Sequence, residues 1–155
     1  MTKLIHREGN IWTTDARAVG QGVNLRGVMG SGIALQFKNY WPEMYEEYRG
    51  LCLRGTFPPG DVHVWGVPSV VEGEPRRFIF NISTQIDPGA NASYRLILKG
   101  VQRALQVADV MQLGTLALPR IGSGVGGLDE GKVEGILDAL AQSYKTDIEL
   151  WTYKA

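Results

Sequence analysis

Cysteine, histidine and net charge are all scarce in this chain of 155 residues. Cys52 is the single cysteine and cannot close an internal disulfide, and no Cys/His cluster has metal-ligand spacing. A disulfide scaffold and a structural metal centre are therefore not expected, and Cys52 reads as a buried helix residue rather than a reactive thiol. Sixteen basic residues balance sixteen acidic ones, so bulk electrostatics offers nothing to recruit nucleic acid or an anionic membrane. No apolar run approaches the roughly 20 residues that cross a bilayer. The start, Met1-Thr2-Lys3-Leu4-Ile5-His6, reads directly into a strand without an apolar signal core. The expectation is a cytoplasmic, non-membrane protein without cofactor or metal.

What is present is the composition of a packed domain, with 44% hydrophobic and 21% charged residues. The length suits one domain over 1–155. Short strand-like runs alternate with longer helical patterns, which predicts strands and helices layered on one sheet. Strands are expected at Leu4–His6, Gln21–Asn24, Val62–Val67, Arg77–Ile82, Thr115–Leu118 and Ile148–Thr152. Helices are expected from Gly32, from about 43 to 53 behind Pro42, from about Ala92 to Val110, and from about Glu130 to Tyr144. The segment from Val71 to Arg76 reads as an exposed hairpin loop.

Glycine is concentrated in two places, each between a strand and a helix. One is Gly27-Val28-Met29-Gly30-Ser31-Gly32-Ile33, and the other runs from Pro119 through Ile121, Gly122, Ser123, Gly124, Val125 and Gly126 to Leu128. In open α/β sheets ligands bind at the carboxyl ends of strands, where such loops converge. Glycine lets backbone approach closely, and unpaired N–H groups at a helix N-terminus attract phosphate oxygens. Neither loop is a P-loop, because no Lys-Ser/Thr pair follows the glycines, and Gly30-Ser31-Gly32 lacks the third glycine of the dinucleotide fingerprint. As a pair they predict a ligand that carries phosphate.

The order of segments from Leu4 to Thr152 resembles the macro domain family. Val23 to Ala34 is similar to the first ligand loop of that family, and Leu118 to Leu128 to its phosphate-gripping loop. Gly9-Asn10-Ile11 resembles the family's adenine-recognition turn, with Asn10 standing where an aspartate is usual. Phe80-Asn81-Ile82-Ser83-Thr84-Gln85 resembles the strand end before the family's long helix. The likeness is greatest to short phage and bacterial members related to terminal ADP-ribose glycohydrolases. The resemblance implies a three-layer α/β/α fold with a central mixed, mostly parallel six-stranded sheet. It also implies ADP-ribose, free or attached to a substrate, as the partner, with nucleic acid involved only where it carries ADP-ribose, and a monomer. Asn10 and Ile11 would then meet adenine, Asn24 the distal ribose, and Gly30, Ser31, Gly32 and Ile33 the ribose and one phosphate. Pro119, Ile121, Gly122, Ser123, Gly124, Val125 and Gly126 would wrap the diphosphate.

The same resemblance bears on catalysis. The glycohydrolase branch attacks the distal ribose with a strand-end lysine assisted by a loop aspartate. Here Ile82-Ser83-Thr84-Gln85 has no lysine, and the loop position falls near Gly126. Asp129 reads as a helix cap. The remaining route is attack by a water held between the ligand's own phosphate and the Gly30–Gly32 loop, with Asn24 orienting the ribose. The expected product is ADP-ribose freed from protein or nucleic acid, or phosphate freed from ADP-ribose 1″-phosphate. A non-catalytic reader or sponge for ADP-ribose is the alternative. His6 and His63 read as structural, Trp12 as core packing with a possible place beside adenine, and Asn91 as a helix cap or a ribose contact alongside Tyr94.

Overall fold

Alternation of side chains along each strand decides which layer of the molecule it feeds. In the computed structural model, which describes residues 3–68, 72–123 and 126–154, the strands are β1 (Leu4–Glu8), β2 (Ala18–Val23), β3 (Val62–Gly66), β4 (Phe78–Ser83), β5 (Thr115–Leu118) and β6 (Asp147–Thr152). They form one six-stranded sheet in the order β1-β6-β5-β2-β4-β3. All neighbours pair in parallel except β3, which runs antiparallel to β4 at the edge. The helices are α1 (Gly32–Tyr40), α2 (Pro42–Arg54), α3 (Tyr94–Val110) and α4 (Glu130–Ala141).

Ala18, Phe80, Ile82, Leu116, Leu118, Ile148 and Leu150 point to one face and pack against α3 and α4. Val19, Val23, Ile79, Ala117 and Trp151 point to the other and pack with Phe37 of α1 and Met44 and Tyr48 of α2. The sheet thus lies between two helical layers, the α/β/α arrangement expected. In α3 the buried residues Ile97, Val101, Ala104, Leu105 and Ala108 recur at helical spacing. Each large aliphatic side chain so buried contributes roughly 1.5–3 kcal/mol.

Helix ends differ from expectation where a nearby polar group takes the cap. Helix α3 begins at Tyr94, because the Ser93 hydroxyl accepts from the Leu96 N–H. Asn91 is not the cap, and its amide donates to Pro88 O instead. Asp129 does cap α4, accepting from Lys132 N at 3.0 Å. Helix α4 stops at Ala141, three residues short of Tyr144. Helix α2 starts on Pro42 and ends where Gly55 adopts φ 66°, its N–H closing on Leu51 and Cys52 carbonyls. Strand β2 begins at Ala18 rather than Gln21 and ends at Val23, and β4 begins at Phe78. Of the expected exposed loop from Val71 to Arg76, Val71 lies outside the described residues, and Glu72 to Arg76 are exposed.

The face of the sheet under α2 carries a buried polar chain. Strand register aligns Gln21 with Asn81 and Asn81 with His63. Gln21 Nε2 donates to Asn81 Oδ1 at 3.0 Å, and Asn81 Nδ2 donates to His63 Nδ1 at 3.1 Å. His63 Nδ1 is therefore the acceptor nitrogen, and Nε2–H reaches Glu47 Oε1 at 2.8 Å. Gln21 Oε1 at the inner end has no hydrogen-bond partner among the described residues.

One half-buried anchor fastens the end of α3 to the start of β6. Asp109 accepts from Thr146 Oγ1 at 2.6 Å, Thr146 N at 2.8 Å and Lys145 N at 3.0 Å. Partial burial alone would raise its pKa, but the Thr146 and Lys145 hydrogen bonds outweigh it and hold the carboxyl below its ordinary value. A depressed folded-state pKa stabilises above the unfolded pKa of about 4 and is lost as pH falls through the folded value. Asp109→Asn should therefore lower the melting temperature at neutral pH, with the deficit shrinking below about pH 4. A deficit that stays constant across an acid series of thermal melts would contradict this account.

Candidate functional site

The parallel strands β2, β4 and β5 end on one edge, and the loops leaving them enclose a cavity of about 370 Å³. Gly22 forms part of its floor. A Cβ there would sit 2.6 Å from Thr84 Oγ1 and 3.1 Å from Ile121, so only glycine keeps the floor this thin. One wall is Gly30, Ser31, Gly32, Ile33 and Ala34 at the start of α1, and the opposite wall is Pro119, Ile121, Gly122 and Gly126.

The start of α1 is left open to a ligand. Ser31 occupies the N-cap position, but its hydroxyl makes no cap hydrogen bond, unlike Ser93 and Asp129 on α3 and α4. The first-turn residues Gly32, Ile33 and Ala34 all face the cavity. Helix N–H groups without an internal acceptor and the positive end of the helix dipole favour an anion there. Gly32 adopts φ 57°, and a Cβ on it would meet nothing within 4 Å. On the facing loop, a Cβ on Gly126 would lie 2.6 Å from the Gly122 carbonyl oxygen, so this turn closes only around glycine.

Asn24 holds the turn out of β2. Its Oδ1 accepts from Arg26 N at 3.0 Å and Val28 N at 3.2 Å, and its Nδ2 donates to Val28 O at 2.8 Å. Two tyrosines of α2 brace the same turn: Tyr48 donates to Asn24 O at 2.7 Å, and Tyr45 donates to Gly27 O at 2.8 Å. Burial pushes the Tyr48 phenol far above its usual range, with the neighbouring Cys52 thiol adding to the shift, so Tyr48 stays protonated as a donor. Cys52 lies half-buried with its Sγ 4.0 Å from Asn24 O, and burial raises its thiol pKa as well. A raised pKa leaves little thiolate at neutral pH.

The structure brings Asn24, Gly30, Ser31, Gly32, Ile33, Pro119, Ile121, Gly122 and Gly126 to one cavity. Ser123 belongs to the same loop but lies outside the cavity wall, its hydroxyl donating to Ile121 O. Gly124 and Val125 lie outside the described residues. Asn10 and Ile11 are not in the wall either. Asn10 Oδ1 accepts from Trp12 N and starts a short 3-10 turn, Ile11–Thr13, whose Ile11 is buried. Trp12 packs edge-on against Phe37, Tyr40 and Trp41 and donates to Gln36, so it is core packing rather than an open platform. Tyr94 accepts from Asp129 N, tying α3 to the second loop. His63 belongs to the buried chain, and His6 lies 3.6 Å from Glu134.

Gln85 and Arg120 are among the wall residues that the reading of the sequence did not assign as ligand contacts. Gln85 stands at the end of β4, with its Nε2 donating to Asp87 O at 2.7 Å and Gly89 O at 2.9 Å. It fixes the loop 85–91 that forms one rim. Arg120 also faces the cavity, but its guanidinium is held by Thr152 and Glu134. Arg120 is the one charged residue of the wall among the described residues. Among those residues no group of His, Cys, Asp or Glu is placed to hold a metal ion, and no helix is long and apolar enough to cross a membrane.

The macro domain family profile matches residues 21–137. A DNA ADP-ribosyl glycohydrolase of Thermus aquaticus is 28% identical over 146 residues, which cover 94% of this chain and 39% of that protein. A DNA ADP-ribosyl glycohydrolase of Mycobacterium tuberculosis is 32% identical over 131 residues, covering 84% of this chain and 36% of that protein. The chain thus spans well under half the length of these relatives. Among solved structures, the macrodomain of Mycobacterium tuberculosis DarG superposes with a TM-score of 0.88 at 28% identity, covering 99% of this chain and 100% of that one.

Replacing Tyr48 with Phe removes the strong donor to the Asn24 carbonyl and leaves that buried acceptor only the weak Cys52 thiol, 4.0 Å away. Such a loss costs about 1–3 kcal/mol, which urea denaturation will register as an earlier midpoint. An unchanged midpoint would mean that the turn out of β2 is held without Tyr48.

Proposed function

Because this chain belongs to the macro domain family, we propose that its cavity binds ADP-ribose and that the protein frees ADP-ribose from a larger molecule by hydrolysis. The observation that carries the reading is the uncapped start of α1 facing a second glycine loop across the cavity. A diphosphate seated there meets the N-terminal amides of α1 on one side and the Gly122–Gly126 turn on the other. The cavity's size of about 370 Å³ lies within the range of small-molecule sites. Adenine would extend past the wall toward Asn10 and Ile11, and the distal ribose toward Asn24, whose second amide hydrogen is available beyond its bond to Val28.

In the proposed reaction a water attacks the anomeric carbon of the distal ribose. The bond from that carbon to the attached group breaks, and the water proton passes by way of a ligand phosphate to the leaving group. Backbone amides of Gly30 to Gly32 stabilise charge that develops on the phosphate side. No protein nucleophile is needed, and Gln85 offers none, since an amide nitrogen committed to two carbonyls is not an amine. The relatives are named for a DNA linkage, which favours nucleic acid over protein or a 1″-phosphate as the attached group.

A second reading has its own support. Among the described residues, the cavity wall carries no Lys, His, Asp or Glu, which suits a module that captures ADP-ribose without turning it over.

Calorimetric titration with ADP-ribose, then incubation of the same sample with ADP-ribosylated DNA and protein, separates the readings. Binding with release of ADP-ribose from DNA supports the hydrolase, binding without release supports capture, and no binding overturns both. Gly32→Glu should abolish binding by placing a carboxylate where the phosphate sits. Gly32→Ala bears the same left-handed strain of about 1–2 kcal/mol without the charge and should still bind. Equal binding by the Glu and Ala variants would remove the phosphate from the start of α1.

A further inference from the structure

Beside the cavity lies a second, larger groove of about 600 Å³, and the loop 85–91 is the partition between them. Gln85, Pro88 and Gly89 face the cavity, whereas Ile86, Asp87 and Asn91 face the groove. The partition is fastened on its near side by Leu25 N donating to Ile86 O at 2.9 Å and by Arg26 paired to Asp87 at 2.7 Å. The far wall is the first turns of α3, which present Ser93, Arg95, Leu96 and Lys99.

Charge in the groove is one-sided although the chain as a whole is neutral. Its two neighbouring carboxylates are already matched, Asp87 by Arg26 and Asp61 by Arg103. Among the described residues neither Arg95 nor Lys99 makes an ion pair, and Lys99 Nζ reaches only the Pro59 carbonyl at 3.4 Å. Both are exposed and one helical turn apart on the same side of α3, whose positive dipole end adds to the field. The apolar part of the lining is Pro58, Pro59, Ile86 and Leu96, and among the described residues no aromatic ring stands in it to stack a base.

We infer that this groove seats the phosphodiester backbone of a single-stranded nucleic acid, held without base readout by Arg95 and Lys99. The inference rests on the reading that ADP-ribose fills the adjoining cavity, because a strand attached to ADP-ribose there and leaving past Gln85 and Gly89 crosses the 85–91 partition into this groove. Two unmatched cations over an apolar floor suit a polyanion with an apolar sugar edge. The absence of a stacking ring makes the contact electrostatic and independent of sequence.

The test is fluorescence anisotropy with an unmodified single-stranded oligodeoxynucleotide over a salt series, using the whole chain and the double variant Arg95→Glu/Lys99→Glu. Both positions are exposed, so folding survives, and an ADP-ribose titration run in parallel should be identical for the two proteins. The wild type should lose affinity with salt at a slope of about 0.7 per neutralised phosphate. The double variant should bind at least about tenfold more weakly and lose most of that slope. An oligonucleotide affinity untouched by the double variant, or no binding by the wild type at low salt, overturns the groove. So does an acidic peptide of equal charge that binds as well and responds equally to the variant. A wild type that ignores ADP-ribose, yet loses the oligonucleotide on charge reversal, leaves the groove standing and takes down the cavity reading instead.

Discussion

The amide of Asn24 is the fixed point from which the α1 wall and the 85–91 rim of the site are hung. A parallel strand ends in exposed backbone, and something must decide where the chain goes next. Asn24 decides it by closing Arg26 and Val28 onto its own side chain while Tyr48 grips its carbonyl from below. Everything downstream follows from that turn. Leu25 carries the 85–91 loop by its N–H, Arg26 holds Asp87, and the chain emerges at Gly30 aimed at the start of α1. Four polar contacts at one buried residue therefore set where the α1 wall and the 85–91 rim stand relative to each other.

The glycine loops were legible in the sequence because glycine is an unusual residue to repeat at a strand-helix junction, although the first loop uses it for the positive φ of Gly27 and Gly32 and the second for steric room. Gly22, Gly122 and Gly126 sit where a Cβ would strike a neighbour. The apolar stripe of α3 and the Asp129 cap were equally readable, since both depend on residues within one or two helical turns. What local reading missed is what distance hides. Tyr48 stands 24 residues from Asn24 in the chain, and only the fold sets its hydroxyl against the Asn24 carbonyl. Asn91 looked like a cap because capping residues are short and polar, but Ser93 stands nearer and takes the role. The neutrality of the chain concealed a local surplus of positive charge that exists only once Asp87 and Asp61 find their arginines.

The cavity also shows how a fold can keep its binding geometry while its chemistry changes. The end of β4 is a natural place for a reactive side chain, since it opens beside the start of α1. Gln85 occupies that place and spends both amide hydrogens on the backbone of the partition. The site is thus rigid at the point where the resemblance implies an amine. In the proposed reaction, turnover draws on the ligand's own phosphate and on backbone dipoles, which cost no reorganisation as charge develops.

The buried chain of Gln21, Asn81, His63 and Glu47 has a consequence for how the sheet finds its alignment. Hydrophobic alternation distinguishes one face from the other but is nearly blind to a slip of two residues, which restores the same face. A polar chain is not blind to it. Shifting β4 by two positions against β2 would set Asn81 opposite Val19 or Val23 and leave buried donors and acceptors unmatched, at about 1–3 kcal/mol for each. Gln21 Oε1 already bears one such vacancy in the correct alignment, so the sheet has little tolerance for more. The chain acts as a key cut for one register, and the strand ends that frame the cavity are level because that key fits.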